Sequence, residues 1–593
     1  MTVEPDSVRR FVRAHAALTA LVLLALYFVA TVVAGLINSY SPVPFWDTWA
    51  GALGFYIAHQ IGDLSIWWAQ HNEHRIVLSR ALFWLDYELA NGSGILLLGS
   101  HLVLMGLAVF VFVLFSRQLL TLTPAQQRRS DILCASVLTI WLFQWIQAEN
   151  IAWEFQSQFF MAQTLPLLAL YLLARASTAD SGHRGRRWFS AACLAGVASV
   201  GTMANGIICL PLMLAYVLVT RQSWQRALTL AMLSVLMLAL YFHNYQSPPS
   251  HGSVLTALTQ QPLALAHYVL LYLGTPFYYL LNGSHAPRLA IVATIFMAAV
   301  TVTALIRCVS RLWRNTDQAS PAQTYWLWQL ALVFYIIYLA GTALGTGGGR
   351  LVFGVNQALT FRYTTPALMA WAATFVLLLP LIRQRWSSLR WILLPTAVLI
   401  LLPLLAEQHK TLQVQHAKRF DRAVAALALE LGIRDETRIN AVYEMSNGLL
   451  DIVERSRRRQ LSVFARYPWQ GLREQMNQFY PLDTALPACM GHIDVVTAVA
   501  PDQDHLLIQG WLLDPVTHQP AQRIRLIGEQ NMTRGFALGG GYRPDVEQAL
   551  GLATARTSGI AGYVSTLALG QPVSMLAEGS ACVLHIPSLA ITP

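Results

Sequence analysis

Long apolar runs alternate with short polar segments through the first two thirds of the chain. The run ALTALVLLALYFVATVVAGLI (17–37) is long enough to cross a bilayer. No small-residue cleavage site with a polar mature domain follows it, so it predicts a retained span. The whole pattern predicts an α-helical polytopic membrane protein with about eleven transmembrane helices. The predicted spans are 17–37, 94–115, 132–147, 157–174, two short spans within 189–220, 227–242, 289–306, 324–343, 365–382 and 390–406.

Two apolar segments do not fit a single straight span. Residues 189–220 are interrupted by TMANG and would overshoot the bilayer, so they predict two short spans joined by a turn at Asn205-Gly206. Residues 262–283 contain Gly274 and Pro276 in their interior, and a span there would place the arginines of 307–314 on the outer side. The positive-inside rule therefore favours an outer-face or re-entrant helix for this segment.

The composition changes after residue 406. Two charged, helix-like segments are followed by short apolar runs such as HLLIQGWLLD and RIRLIG, which are bounded by turn residues and predict strands. The pattern divides the chain into a membrane domain (1–406, with a first outer loop at 38–93), a helical linker (407–487) and a small β-rich domain (488–593).

The number and placement of charged residues support a membrane protein and argue against a nucleic-acid-binding protein. The chain is 55% hydrophobic and 12% charged, with a mean hydropathy of +0.46 and a net charge of +10. Soluble domains are about a quarter charged. The arginines fall in short clusters between apolar runs, which is how positive charge reports topology. Arg9, Arg10 and Arg13 predict a cytoplasmic N-terminus, and the span count then places the C-terminal domain outside.

Two cysteines bracket the β-like region. Cys489 and Cys582 would face an oxidising compartment, and the ends of compact domains are often close together. We therefore predict a disulfide, with Cα atoms within about 7 Å. The alternative is two unrelated buried cysteines.

The ionisable residues with candidate chemistry lie in the outer loops, because the predicted spans contain almost none; His101 is the main exception and is expected to pack. Proton-coupled transporters place carboxylates at mid-membrane depth. The carboxylates of the first two outer loops are Asp47, Asp63, Glu73, Asp86, Glu88, Glu149 and Glu154. This distribution indicates a reaction or binding event at the outer face.

Four segments carry a resemblance when taken in order: PFWDTW, HNEHRIVLSRALFWLD, ENIAWEFQSQFF and GGGRLVFGVNQALTFRYTTPAL. Over roughly residues 1–406 the chain resembles the GT-C glycosyltransferases, and is most similar to bacterial membrane arabinofuranosyltransferases, including those that decorate type IV pilins. The resemblance implies transfer of a sugar from a polyprenyl-phosphate donor to an acceptor hydroxyl, with inversion, in the bacterial inner membrane with the C-terminal domain in the periplasm. Acceptors in this reading are a pilin, another protein or a surface polysaccharide. It implies no required cofactor and leaves a divalent cation open.

The resemblance also implies catalytic roles. Asp47 matches the family's acidic residue after the first span and is the candidate base; its alternative role is a helix cap. Glu73 is the second candidate, and a structural ion pair with Arg75 is its alternative. Arg75, Arg350 and Arg362 are the candidates for the donor phosphate, because a guanidinium offers a bidentate fork.

Further outer-loop residues are candidates for substrate binding: Trp46, Trp49, His71, His74, Glu149, Glu154 and Tyr363. The tryptophans fit an interfacial aromatic belt as well as sugar stacking. His71 and His74 could share a metal with Glu73, but the spacing of a structural zinc site is absent, which favours hydrogen bonding and predicts no metal site. GTGGGR lacks the Lys-Ser/Thr of a P-loop and predicts a flexible outer loop.

Two other functions compete with glycosyl transfer. A flippase or export component would need a cationic cavity through the membrane, which the spans do not provide. A polysaccharide polymerase or ligase would use similar outer-face chemistry on a diphosphate donor.

Overall fold

The computed structural model describes residues 5–179, 182–281, 283–314, 321–483, 485–579 and 582–592. The first four residues of the predicted cytoplasmic N-terminus lie outside the described residues. The helices are α1 (Pro5–Ser39), α2 (Phe55–Gln60), α3 (Val77–Ala90), α4 (Ile95–Leu119), α5 (Pro124–Leu142), α6 (Ala148–Ala152), α7 (Ser157–Thr178), α8 (His183–Val200), α9 (Cys209–Val219), α10 (Trp224–Phe242), α11 (Val254–Gln260), α12 (Pro262–Leu280), α13 (Ala286–Arg314), α14 (Pro321–Arg350), α15 (Thr364–Gln384), α16 (Trp386–His409), α17 (His416–Leu431), α18 (Glu436–Ile439), α19 (Asn447–Arg458), α20 (Leu472–Gln475) and α21 (Pro544–Leu550). The strands are β1 (Met490–Ala498), β2 (His505–Leu513), β3 (Arg523–Ile527), β4 (Thr533–Gly541), β5 (Gly559–Ser565), β6 (Val573–Glu578) and β7 (Val583–Ile586).

The chain divides into two compact units. The first comprises Met1–Ile37, Trp67–Ala81 and Leu97–Gln413, and is called the membrane unit here. The second comprises Asn38–Ile66, Leu82–Leu96 and Val414–Pro593, and is called the C-terminal unit. The division differs from the predicted one because two parts of the first outer loop group with the C-terminal segment.

Within the described residues, nine helices are long and apolar enough to cross a membrane, or ten if the bent pair Pro124–Leu142 and Trp145–Ala152 forms one span. The difference from the predicted number of about eleven lies mainly at 189–220. That segment does form two helices joined by a turn (Ala204–Ile208), but α9 has only 11 residues. At 1.5 Å per residue it is much shorter than a bilayer core of about 30 Å.

The inner helices of the membrane unit are held together by tyrosine hydroxyls. Pro166 lies inside α7 and has no N–H to donate to the Ala162 carbonyl. The Tyr338 hydroxyl of α14 donates to that carbonyl at 2.6 Å, and the Tyr335 hydroxyl donates to Gln163 at 3.0 Å. Both tyrosines are fully buried. The carbonyl released by the proline is thereby satisfied away from water, which a helix in an apolar medium requires.

Helix α12 has the length and composition of a span, yet both of its ends contact residues that flank Arg350. Leu265, near its start, packs against Gly347, and Tyr279, near its end, donates to the Leu359 carbonyl. These contacts favour the predicted outer-face or re-entrant placement. Which face is the outer one stays a prediction.

The C-terminal unit contains one seven-stranded antiparallel sheet, in the order β1-β2-β5-β4-β3-β6-β7. The two runs that predict strands from the sequence form β2 and β3. Cys489 and Cys582 form the predicted disulfide, with 4.9 Å between their Cα atoms. The bond joins the starts of β1 and β7, which are the two edge strands of the sheet.

Candidate functional site

Glu73 lies at the centre of a cluster of charged and imidazole side chains in the membrane unit. Its Oε1 atom is 3.0 Å from Arg350 Nη2 and 3.7 Å from His74 Nε2, and its Oε2 atom is 3.5 Å from His251 Nδ1. These four residues are called the Glu73 cluster. The charged partner of Glu73 is therefore Arg350, not the Arg75 that was its alternative partner in the sequence.

A tight turn presents Glu73 to its partners. The backbone N–H groups of His71 and His74 each donate to the carbonyl of the other, at 2.8 and 2.9 Å. Asn72, within the turn, has a positive φ of 50°, a conformation that asparagine tolerates better than most residues. The Tyr241 hydroxyl donates to the Glu73 carbonyl at 2.6 Å and fixes the turn from the end of α10.

The GTGGGR stretch is helical, so the prediction of a flexible loop was wrong. It forms the last turns of α14, and its glycines let another segment approach closely. A Cβ atom on Gly348 would lie 2.4 Å from Val254, and the Gly252 N–H donates to the Gly349 carbonyl at 2.9 Å. This close packing brings His251 to Glu73.

The protonation states within the cluster differ by residue. Burial alone would raise the pKa of the Glu73 carboxyl. The charge of His74, which is protonated in the acid range where Glu73 titrates, and that of Arg350 outweigh burial and lower this pKa to about 2. Burial lowers the pKa of His74 to about 4, and also lowers the pKa of His251. His74 Nδ1 accepts a hydrogen bond from the Ala204 N–H at 3.1 Å, which favours the neutral ring. At neutral pH the cluster therefore holds one carboxylate, one guanidinium and two neutral imidazoles.

Glu149 and Arg362 form a second pair in the same unit, with 3.3 Å between Oε1 and Nε. The Asn150 amide donates to the Arg362 carbonyl at 2.7 Å and to the Thr365 hydroxyl at 2.8 Å, so the start of α15 is fixed beside the pair. Tyr363 interacts electrostatically with both Arg350 and Arg362. The charges of both arginines therefore act on the Tyr363 hydroxyl.

Arg75 has a different place. Its guanidinium donates to the carbonyls of Trp68, Tyr241 and His243, at 2.5, 2.8 and 2.6 Å, and the residue is 4% exposed. These bonds use its donors to hold backbone together, so the geometry assigns it a structural role in place of the predicted phosphate contact. Its bonds to 241 and 243 support the same end of α10 that fixes the Glu73 turn.

Asp47 belongs to the C-terminal unit. It precedes a π-helical turn (Thr48–Gly54), and its side chain makes no capping hydrogen bond there, which removes the support for the helix-cap alternative. Trp46 is 44% exposed, whereas Trp49 is fully buried and contacts the Phe464 ring at 6.3 Å. The prediction that Trp49 contacts substrate was therefore wrong, because the ring is part of the core.

The remaining candidates are placed as follows. The His71 ring lies 5.1 Å from the Phe155 ring, centroid to centroid. Glu154 is half-buried in a short turn (Glu154–Gln156). Tyr363 is 7% exposed and stacks on Tyr272, with 4.9 Å between centroids. Across the described ranges, no three or more histidine, cysteine or acidic side chains form a group suited to a metal ion.

Some residues that shape the site carry little or no signal in the sequence. His251 lies in the loop HNYQSPPSHGS, where its only signal is the glycine that follows it. Tyr241 lies 168 positions along the chain from Glu73, whose carbonyl its hydroxyl binds.

No protein-family model matches the chain, and no curated protein matches it. Among solved structures it is similar to the Archaeoglobus fulgidus oligosaccharyltransferase in complex with Zn and sulfate, with 13% identity and a TM-score of 0.40 over 78% of this chain and 59% of that one. The structure of AglB from Archaeoglobus fulgidus with an inhibitory peptide and a dolichol-phosphate is 11% identical, with a TM-score of 0.37, over 77% of this chain and 62% of that one. The structure of the oligosaccharyltransferase tethered to an acceptor peptide is 13% identical, with a TM-score of 0.38, over 77% of this chain and 61% of that one. The chain thus spans about three fifths of the length of that enzyme, and its chemistry has to be argued from its own residues.

Proposed function

We propose that the protein is a GT-C-type membrane glycosyltransferase that moves a sugar from a polyprenyl phosphate to an acceptor hydroxyl. The observation that carries the proposal is the pair of arginine–carboxylate contacts, Glu73–Arg350 and Glu149–Arg362, within the membrane unit. Guanidinium groups bind phosphate oxygens well, and carboxylates stabilise a sugar that develops positive charge. The two contacts supply both kinds of group.

In the proposed reaction, the bond between the sugar C1 and the phosphate oxygen breaks, and the phosphate leaves with the electron pair. Arg350 and Arg362 turn from their carboxylates toward the departing phosphate and neutralise its charge. The acceptor oxygen forms the new bond to C1 from the opposite side, so the configuration inverts.

The carboxylates take different parts. Glu73 has a pKa too low for an efficient base at neutral pH, so its part is to stabilise the positively charged sugar. Asp47 is the proposed base, which accepts the proton of the acceptor hydroxyl. Support for it is the resemblance carried by PFWDTW, in which Asp47 takes the position of the family's acidic residue.

The finer proposal follows the resemblance. The sugar is D-arabinofuranose, and the reaction takes place at the outer face of a bacterial inner membrane. The acceptor is a hydroxyl on a pilin, another protein or a surface polysaccharide.

The test is transfer by the purified protein in nanodiscs, supplied with radiolabelled polyprenyl-phosphoryl arabinofuranose and an envelope extract from a strain lacking the gene. Label should enter the acceptor with wild-type protein and not with Asp47→Asn. Asp63→Asn is the matched control, because Asp63 is exposed in the same outer segment and its carboxylate accepts hydrogen bonds from the neighbouring Ser65. Normal transfer by a folded Asp47→Asn protein would remove Asp47 as the base. Transfer only from a diphosphate donor would replace the proposal with a polymerase or ligase.

A further inference from the structure

Trp46 combines a strained backbone with an exposed ring. Its φ of 46° lies in the left-handed region, which is an unfavourable conformation for a bulky residue. Its N–H donates to the Val442 carbonyl at 2.7 Å, and that bond holds the conformation. The result is an indole ring that is 44% exposed. Strain that persists in order to present an apolar ring points to a ligand for that ring.

The surroundings of the ring are polar and acidic. Tyr443 lies edge-on to Trp46, with 6.3 Å between ring centroids and 69° between ring planes. Burial, followed by the negative charges of Asp47 and Glu444, raises the pKa of the Tyr443 hydroxyl. The charges of both carboxylates therefore act on that hydroxyl. Trp46, Asp47 and Tyr443 are called the Trp46 platform.

Segments far along the chain shape the platform. The Arg422 guanidinium lies 3.8 Å from the centre of the Phe45 ring. The Gly54 position faces Ile452, with 3.3 Å from an added Cβ to the nearest side-chain atom. Residues of the predicted helical linker thus fix the acidic loop, and they supply a hydroxyl to it through Tyr443.

The chemistry of the platform suits a saccharide ring. The C–H face of a sugar packs on an aromatic ring, and its hydroxyls donate to carboxylates and to a phenol oxygen. We propose that the Trp46 platform binds a saccharide ring of the acceptor, so that the acceptor is a glycan rather than an unmodified peptide. That this saccharide is the acceptor rests on the proposed function, whereas the binding of a saccharide does not.

The test uses the whole protein in detergent and two probes, methyl α-D-arabinofuranoside and methyl α-D-mannopyranoside, with binding measured by saturation-transfer NMR. At least one glycoside should bind the wild type. Trp46→Gly removes the ring and also relieves the positive φ, so affinity should fall at least tenfold while the melting temperature does not fall. Trp46→Phe should keep most of the affinity, and Tyr443→Phe should lose part of it. Trp391→Ala, which removes a 72% exposed tryptophan of α16, should leave binding unchanged.

Equal glycoside affinity in Trp46→Gly and the wild type would overturn the proposal. So would a serine- and threonine-rich peptide that binds the wild type and not Trp46→Gly. The transfer assay separates this proposal from the proposed function. If glycoside binding requires Trp46 but no sugar is transferred, the platform proposal holds and the proposed transferase function fails. If Trp46→Gly transfers sugar with the acceptor KM of the wild type, the transferase function holds and the platform proposal fails.

Discussion

Arg350 and Glu73 stand 277 positions apart in the chain and form an ion pair, with 3.0 Å between Nη2 and Oε1. Both side chains are about three-quarters buried, so removing either charge leaves the other poorly solvated. We expect Glu73→Gln and Arg350→Gln each to lower the melting temperature of the protein in detergent. The double variant should lose less than the sum of the two, with a coupling of about 0.5–3 kcal/mol. If the losses of the two single variants add up to that of the double variant, the interaction between the two charges does not stabilise the fold.

Arg362→Lys should weaken use of the donor more than use of the acceptor. Lysine keeps the charge but lacks the planar fork that binds two phosphate oxygens at once. We expect the donor KM to rise about tenfold or more, with an acceptor KM close to that of the wild type. Arg383→Lys is the control, because Arg383 is exposed in the last turn of α15. An unchanged donor KM for Arg362→Lys would leave Arg350 as the better phosphate ligand.

Acidification should destabilise the Glu73 cluster. The folded-state pKa of His74 is about 4, below the ordinary value of 6.5, so the folded state resists protonation of this ring. Its stabilising contribution is complete above pH 6.5 and is lost as the pH falls toward 4. The Glu73 contribution is lost lower, between 4.5 and about 2. Melting temperatures measured from pH 7 to pH 4.5 should therefore fall, and His74→Gln should reduce the slope. The exposed His285, changed to Gln, should keep the wild-type slope.

Both ends of α12 should be accessible from the same side of the membrane. Single cysteines at Asn244 and Gly283, in a background without the native unpaired cysteines, should react with a membrane-impermeant thiol reagent from outside intact cells. A reporter fused at the C-terminus should also be external. Labelling of the first cysteine without the second would make α12 a true span, and every later loop would change sides.

Loss of either bridging cysteine should destabilise the sheet of the C-terminal unit. The bond links residues 93 positions apart, and the chain-entropy model assigns such a loop about 4–5 kcal/mol before native strain is subtracted. Cys489→Ser, Cys582→Ser and the double variant should lower the melting temperature equally, because each breaks the same bond. Free alkylation of both thiols in unreduced protein would contradict the bridge.

The classes of structure could be predicted from the sequence because they depend on local patterns. Apolar runs of span length form helices, and apolar runs bounded by turn residues form β2 and β3. The glycines of GTGGGR misled the prediction, because a glycine that loosens a loop also permits the close packing of two helices. The contact of Val254 with Gly348 shows that these glycines permit close packing and do not loosen a loop.

The candidate site was predictable in its residue types and not in its pairings. Glu73, Arg350 and Arg362 stood out as polar residues beside apolar runs. Their partners depend on which distant segments meet, as His251 and Glu73 do across loops 178 positions apart (251 − 73). Arg75 looked the same as Arg350 in the sequence, and only the three carbonyls around it reveal a structural role.

We also expect the disulfide between the two outermost strands to limit self-association. A bare strand edge is a template onto which another copy of the chain can add a strand of its own. Here Ala488 pairs with Val583 beside the bond, and Thr592 exchanges hydrogen bonds with Val496 of β1. Each outer strand is thus partly occupied by its own chain. We expect reducing conditions to release these edges and to favour oligomers joined strand to strand.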